Sequence, residues 1–220
     1  MKLLLTSAGL TNNSISKALL GLLDKPAQES NLAFIPTAAN VEEGDKSWLI
    51  NDLVNIKKQD FTCVDIVDIS ALPETIWKPR LEAADILFFS GGDSFYLMHW
   101  LNKSGLTKLL PELLKTRVYV GISAGSMVTG PNLSLSQSKQ LYGSTRGDSD
   151  SRDVEGLSFV DFLIRPHLNS PSFPKVRADF LGEIANKSPE KIYAIDDNTA
   201  IKVVDGEVEI ISEGEWKEFN

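Results

Sequence analysis

From residue 2 to residue 122 the chain alternates short apolar runs with amphipathic stretches, and that alternation leaves few folds open to it. The runs at 2–6, 32–36, 61–66, 85–89 and 118–122 are short and rich in Leu, Ile, Val and Phe, which reads as buried strands. Between them the spacing predicts helices over 14–23, with Asn13 or Ser14 as the cap, and over 41–57, 72–84, 95–101 and 106–115. Cys63, inside the third run, reads as a core residue. Repeated strand–helix–strand units build a mainly parallel sheet with helices on both faces. Ligands on such sheets bind at the carboxyl ends of the strands. Residues 131–156 break the pattern: they are rich in Ser, Asp, Gly and Gln and read as a lid or an irregular hairpin. Order resumes at 163–167, with a helix over 175–185 and a strand over 191–195. The alternation at 200–211 around Asp205-Gly206 signals a β-hairpin. No internal repeat or linker divides residues 1–220, so one domain is expected.

Within this frame residues 121–125 read Gly-Ile-Ser-Ala-Gly, a G-x-S-x-G motif that follows a strand and opens a helix. A serine at so sharp a turn presents its hydroxyl at the sheet edge. Gly121 and Gly125 fit because side chains there would collide across the turn. The Ala124 N–H points at the same space as the Ser123 hydroxyl, which makes half of an oxyanion hole. Gly91 and Gly92, also between a buried strand and a helix, are placed to supply a second N–H donor from Gly92.

A serine hydroxyl needs a base to become a nucleophile. The chain holds two histidines. His167 stands at the end of a strand-like run, at the same sheet edge; His99 lies within an apolar helix and reads as a packed or surface residue. The orienting carboxylate has several candidates: Asp148, Asp150 and Asp153 in the polar segment, Asp161 before the His167 strand, and Asp196 or Asp197 after the strand at 191–195. Asp197 and its neighbour have the best structural warrant, because a strand end can hold a carboxylate still.

The net charge of −8 argues against a nucleic-acid partner, which would need a basic face. The start, with three leucines after Lys2, is too short for the apolar core of a signal peptide. No run approaches the roughly 18 apolar residues of a membrane span. A single cysteine leaves no disulfide framework and no multi-cysteine zinc site, and a cytoplasmic location is the default expectation. No metal or other cofactor is expected. A homodimer is one assembly open to the chain.

Three segments together, Phe89-Ser-Gly-Gly-Asp-Ser-Phe95, Gly121-Ile-Ser-Ala-Gly-Ser126 and Arg165-Pro-His-Leu-Asn169, resemble the peptidase family of dipeptidase E (α-aspartyl dipeptidase) and the cyanophycinases. The resemblance runs over nearly the whole chain. It implies a three-layer α/β/α sandwich like that of class I glutamine amidotransferases. It also implies a catalytic Ser123 and His167, and oxyanion donors at Gly92 and Ala124. In dipeptidase E two acidic positions have been considered for the orienting carboxylate: one lies shortly after the elbow, where this chain has no acid until Asp148, and the other, a glutamate, lines up best with Asp197, one methylene shorter, with Asp196 as the substitute. The dipeptidase E branch cleaves dipeptides with an amino-terminal aspartate, which implies a cationic pocket; Lys175 and Arg177 are the candidates for it. The expected activity is therefore that of a serine peptidase acting on small peptides. An esterase or amidase acting on a small acyl substrate, and a non-catalytic ligand-binding protein on the same fold, are the alternatives.

Overall fold

The computed structural model describes residues 1–136, 154–186 and 188–220. Its centre is a seven-stranded sheet in the order β3-β2-β4-β5-β1-β8-β9. Strands β1 (Lys2–Thr6), β2 (Asn31–Ile35), β3 (Cys63–Ile66), β4 (Ile86–Phe89) and β5 (Val118–Ile122) run parallel. Strands β8 (Thr199–Val204) and β9 (Glu207–Ser212) add an antiparallel flank beside β1. The predicted hairpin turn is present, with both Asp205 and Gly206 at positive φ.

The inner strands are buried on both faces and sort their side chains by alternation. Leu3, Leu5, Ala33, Ile35, Leu87, Phe89 and Tyr119 enter the core on one side. Leu4, Leu32, Phe34, Ile86, Phe88, Val118, Val120 and Ile122 enter the core on the other. Each such burial of a Leu, Ile, Val or Phe side chain contributes roughly 1.5–3 kcal/mol. The second core is closed by α1 (Asn13–Leu22), through Ile15, Leu19 and Leu22, and by Ile56 of α3 (Ser47–Lys57). The first is closed by α4 (Glu74–Ala83), α5 (Ser94–Lys103) and α6 (Leu106–Leu113), through Trp77, Leu97, Leu101, Leu106 and Leu110. A short α2 (Thr37–Asn40) follows β2 directly. The expected three-layer α/β/α architecture with a mainly parallel sheet is what the chain adopts.

Three local expectations change. The α1 cap is Asn12, whose Oδ1 accepts from the Ile15 N–H at 2.9 Å, rather than Asn13 or Ser14. Cys63 is exposed, not core: β3 is the sheet's edge strand, and only four of its residues are paired, to β2 alone. The C-terminal hairpin is not the end of the ordered chain. After it, β10 (Trp216–Phe219) pairs antiparallel with β7 (Ile192–Ile195), which pairs parallel with β6 (Leu163–Arg165), giving a second, three-stranded sheet. α8 (Ala178–Ala185) packs on it through Leu181 and Ala185.

The polar segment at 131–156 is described only at its ends, where Leu133 N–H donates to the Val154 carbonyl at 3.0 Å and Asn132 bridges Glu155. The lid reading, Asp148, Asp150 and Asp153 lie outside the described residues. Among the described residues no helix is long and apolar enough to cross a membrane.

Candidate active site

Ser123 sits at φ 46°, ψ −103°, between β5 and α7 (Ala124–Met127). This backbone is disfavoured for a residue with a side chain and costs on the order of 1–3 kcal/mol. The surroundings enforce it. A Cβ on Gly121 would lie 2.5 Å from the Gly125 carbonyl carbon, and one on Gly125 would lie 2.4 Å from the Phe89 carbonyl oxygen. The turn therefore closes only with glycine at both positions. Ser123 N–H donates to the Thr6 carbonyl at 3.0 Å, and Ser126 Oγ donates to the same carbonyl at 2.8 Å. Below, the buried Tyr119 phenol donates to the Gly125 carbonyl at 2.6 Å and stacks on Phe89.

The structure brings three of the sequence candidates into one hydrogen-bonded line. Ser123 Oγ lies 3.0 Å from His167 Nε2, and His167 Nδ1 lies 2.7 Å from Asp197 Oδ1. His167 follows β6 at φ 65°, its N–H bonded to Ser7 Oγ at 2.9 Å, with Leu168 N–H held by the Ile195 carbonyl at 3.0 Å. Its ring stacks on Phe173 at a centroid distance of 4.1 Å, and its side chain is 14% exposed. Asp197 accepts from Ser7 Oγ at 2.7 Å, and its own carbonyl is held by Thr11 Oγ1 at 2.8 Å. Burial pushes the Asp197 carboxyl up. The His167 hydrogen bond and charge, with the Ser7 and Ser170 hydroxyls, outweigh burial and hold it below the usual aspartate range.

Asp196 is turned elsewhere. Its Oδ1 accepts from Asn198 N–H and Thr199 Oγ1, and its Oδ2 from Glu215 N–H, so it shapes the turn that presents Asp197. His99 is exposed on α5, edge-on to Trp100. Asp161 is exposed, at the turn before β6. Arg177 Nη1 donates to the Val176, Phe173 and Ser170 carbonyls at 2.8–3.4 Å, closing the loop that carries Phe173, and Lys175 is exposed.

Gly92 has φ 128°, and a Cβ there would lie 2.1 Å from the Ala38 carbonyl oxygen. Only glycine fits this turn. Gly91, next to it, faces Ser123: its missing Cβ would lie 3.5 Å from Ser123 Cβ. Among the described residues the Gly92 and Ala124 amides donate no hydrogen bond.

Ser7 and Phe173 escaped the sequence reading. Ser7 carried one usable signal, its place at the carboxyl end of β1 on the ligand-binding edge. Phe173 carried none, since its stacking on His167 depends on the loop that Arg177 closes.

Comparison with known proteins identifies relatives of this chain. The family model for peptidase family S51 matches residues 3–211. The uncharacterized peptidase Lmo0363 of Listeria monocytogenes is 29% identical over 188 residues, covering 82% of this chain and 85% of its own. Peptidase E of Shewanella oneidensis is 32% identical over 116 residues, which is 52% of this chain and 43% of that protein. The crystal structure of a candidate peptidase E from Listeria monocytogenes EGD-e superimposes with a TM-score of 0.79 at 26% identity, covering 97% of this chain and 98% of the other.

Proposed function

The chain belongs to peptidase family S51 and is a serine-type peptidase, and on that premise we propose that it hydrolyses small peptides, dipeptides among them, with Ser123, His167 and Asp197 as its catalytic residues. The observation that carries this reading is the continuous line Ser123 Oγ–His167 Nε2 at 3.0 Å and His167 Nδ1–Asp197 Oδ1 at 2.7 Å. His167 takes the Ser123 proton as Oγ attacks the scissile carbonyl. Asp197 holds the ring in the tautomer with the proton on Nδ1 and stabilises the imidazolium. The Gly92 and Ala124 amides receive the oxyanion of the tetrahedral intermediate. Collapse of the intermediate breaks the C–N bond, and the Nε2 proton passes to the leaving amine. Water, deprotonated by the same nitrogen, then hydrolyses the acyl-serine. In this scheme the only co-reactant is water.

The test is turnover of a panel of Asp-Xaa, Glu-Xaa, Lys-Xaa and neutral dipeptides by the wild-type protein and by Ser123→Ala. The expected result is hydrolysis of dipeptides that falls by about 10³-fold or more in the variant. Equal turnover by both proteins rules the mechanism out. Confinement of turnover to Asp-Xaa would make this an aspartyl dipeptidase.

A further inference from the structure

Asp52 lies on α3 one turn after Trp48, so both side chains share a helix face. That face reaches the two flanks of the Ser123 elbow. Trp48 Cζ3 lies 3.7 Å from the point a Gly91 side chain would occupy, and Ser123 Cβ lies 3.5 Å from the same point. Asp52 Oδ1 lies 3.1 Å from the point a Gly9 side chain would occupy, and Cδ1 of Ile122, the residue before the nucleophile, lies 3.2 Å from it. Gly9 in turn follows Ser7, which touches both His167 and Asp197. The Asp52 carboxyl is thus held against the two segments that carry the candidate machinery.

As a residue Asp52 is 8% exposed, and among the described residues its carboxyl has no hydrogen-bond or ion-pair partner. Burial alone pushes it up to about 7, with no cation or donor offsetting the effect. A carboxylate in that position costs several kcal/mol unless something pairs with it. An apolar residue would be the cheaper occupant of a site beside Ile122 and Gly9. A cation would offset that cost, and a free small peptide always brings one.

We propose that Asp52 is a specificity-determining residue that receives the ammonium group of the substrate's amino-terminal residue. The inference rests on the small-peptide reading above and names the feature by which such a peptide is chosen. An ammonium is compact, offers three donors, and gains most from a carboxylate that folding has largely taken out of water. Blocking that amine leaves the peptide facing an unpaired carboxylate, so end-blocked peptides and internal segments of longer chains are disfavoured.

The experiment is titration calorimetry on the full chain carrying Ser123→Ala, with and without Asp52→Asn, using Ala-Ala, N-acetyl-Ala-Ala, Lys-Ala and N-acetyl-Lys-Ala. Asp52→Ser serves as a second variant. With Asp52 present, Ala-Ala is expected to bind about tenfold or more tightly than its acetylated form. Both Asp52 variants should remove that gap. If N-acetyl-Lys-Ala binds like Ala-Ala and does so only with Asp52, the lysine side chain supplies the ammonium. A gap that survives both variants, no gap at all, or no binding with Asp52 present overturns the proposal. Turnover in the dipeptide panel is read separately. Hydrolysis that depends on Ser123 but shows no Asp52-dependent gap overturns this inference alone.

Discussion

The carboxylate at position 197 is short, yet it reaches His167 at 2.7 Å because its backbone is clamped on two sides. Thr11 holds its carbonyl, and Asp196 ties the adjoining turn to Thr199 and Glu215. Ser7 then joins the acid to the histidine backbone, so the pair is oriented from β1 as well. Asp52 shows the opposite case, a carboxyl that nothing among the described residues holds. Its folded form keeps its proton up to about 7, whereas the unfolded chain releases it near 3.8. Between those values folding takes up a proton, so stability falls as pH rises through that window, and the whole cost is felt above it. Asp52→Asn should therefore raise Tm at pH 8, by the equivalent of about 2–4 kcal/mol at most, and change it little at pH 4. Thermal melts at the two pH values check this. Ser123, His167 and Asp197 could be picked out in the sequence as candidates because each stands just past the end of a strand-like run, although the structure divides those strands between two sheets. Ser7 and Asp52 could not. Their meaning lies in partners from other elements: the place of Ser7 at the end of β1 does not say that it bridges to position 197, and no local pattern marks an aspartate that faces a glycine.

At the scale of elements, the turn after β4 is the most exacting. Its sequence, Ser90-Gly91-Gly92-Asp93, reads as a strand-to-helix connection, and Asp93 caps α5 by accepting from Tyr96 N–H at 2.9 Å. The need for glycine at 92 comes from α2, whose Ala38 carbonyl fills the space a side chain would take. Gly92→Ala must move that turn, so it should destabilise the protein by about 2 kcal/mol or more and lower kcat by about tenfold or more. Gly21→Ala, in the last turn of α1 with open space around it, is the matched control and should be neutral or slightly stabilising. Melting and steady-state kinetics on the pair separate the two effects. Most elements were legible, since apolar period alone distinguishes buried strands from amphipathic helices. Their limits were less so. The helix expected from 41 begins at Ser47, and that expected from 175 begins at Ala178. The exposure of Cys63 could not be read, because an apolar run does not say whether its strand is central or at an edge.

Across the whole molecule, the candidate residues are divided between two sheets. Ser123 ends β5 of the large one, His167 follows β6 of the small one, and Asp197 lies in the link from β7 to β8 that joins them. Strand β10 completes the small sheet, and the segment before it clamps both ends of the pair. Glu215 bonds the Asp196 N–H and the Asn169 side chain, and Asn220 ties the chain end to Ala185, Ser188 and Glu190. Removal of residues 213–220 should leave the large sheet's circular dichroism largely intact. It should cut turnover by about 10²-fold, the cost of a small misplacement of the base. A partly melted or half-made chain with β1 to β5 in place thus carries a serine and no base. Such a chain is unarmed. On this reading full capacity to cut peptides arrives only when the last strand docks and falls at the first local opening, so catalysis is a stricter gauge of nativeness here than any spectrum of the sheet.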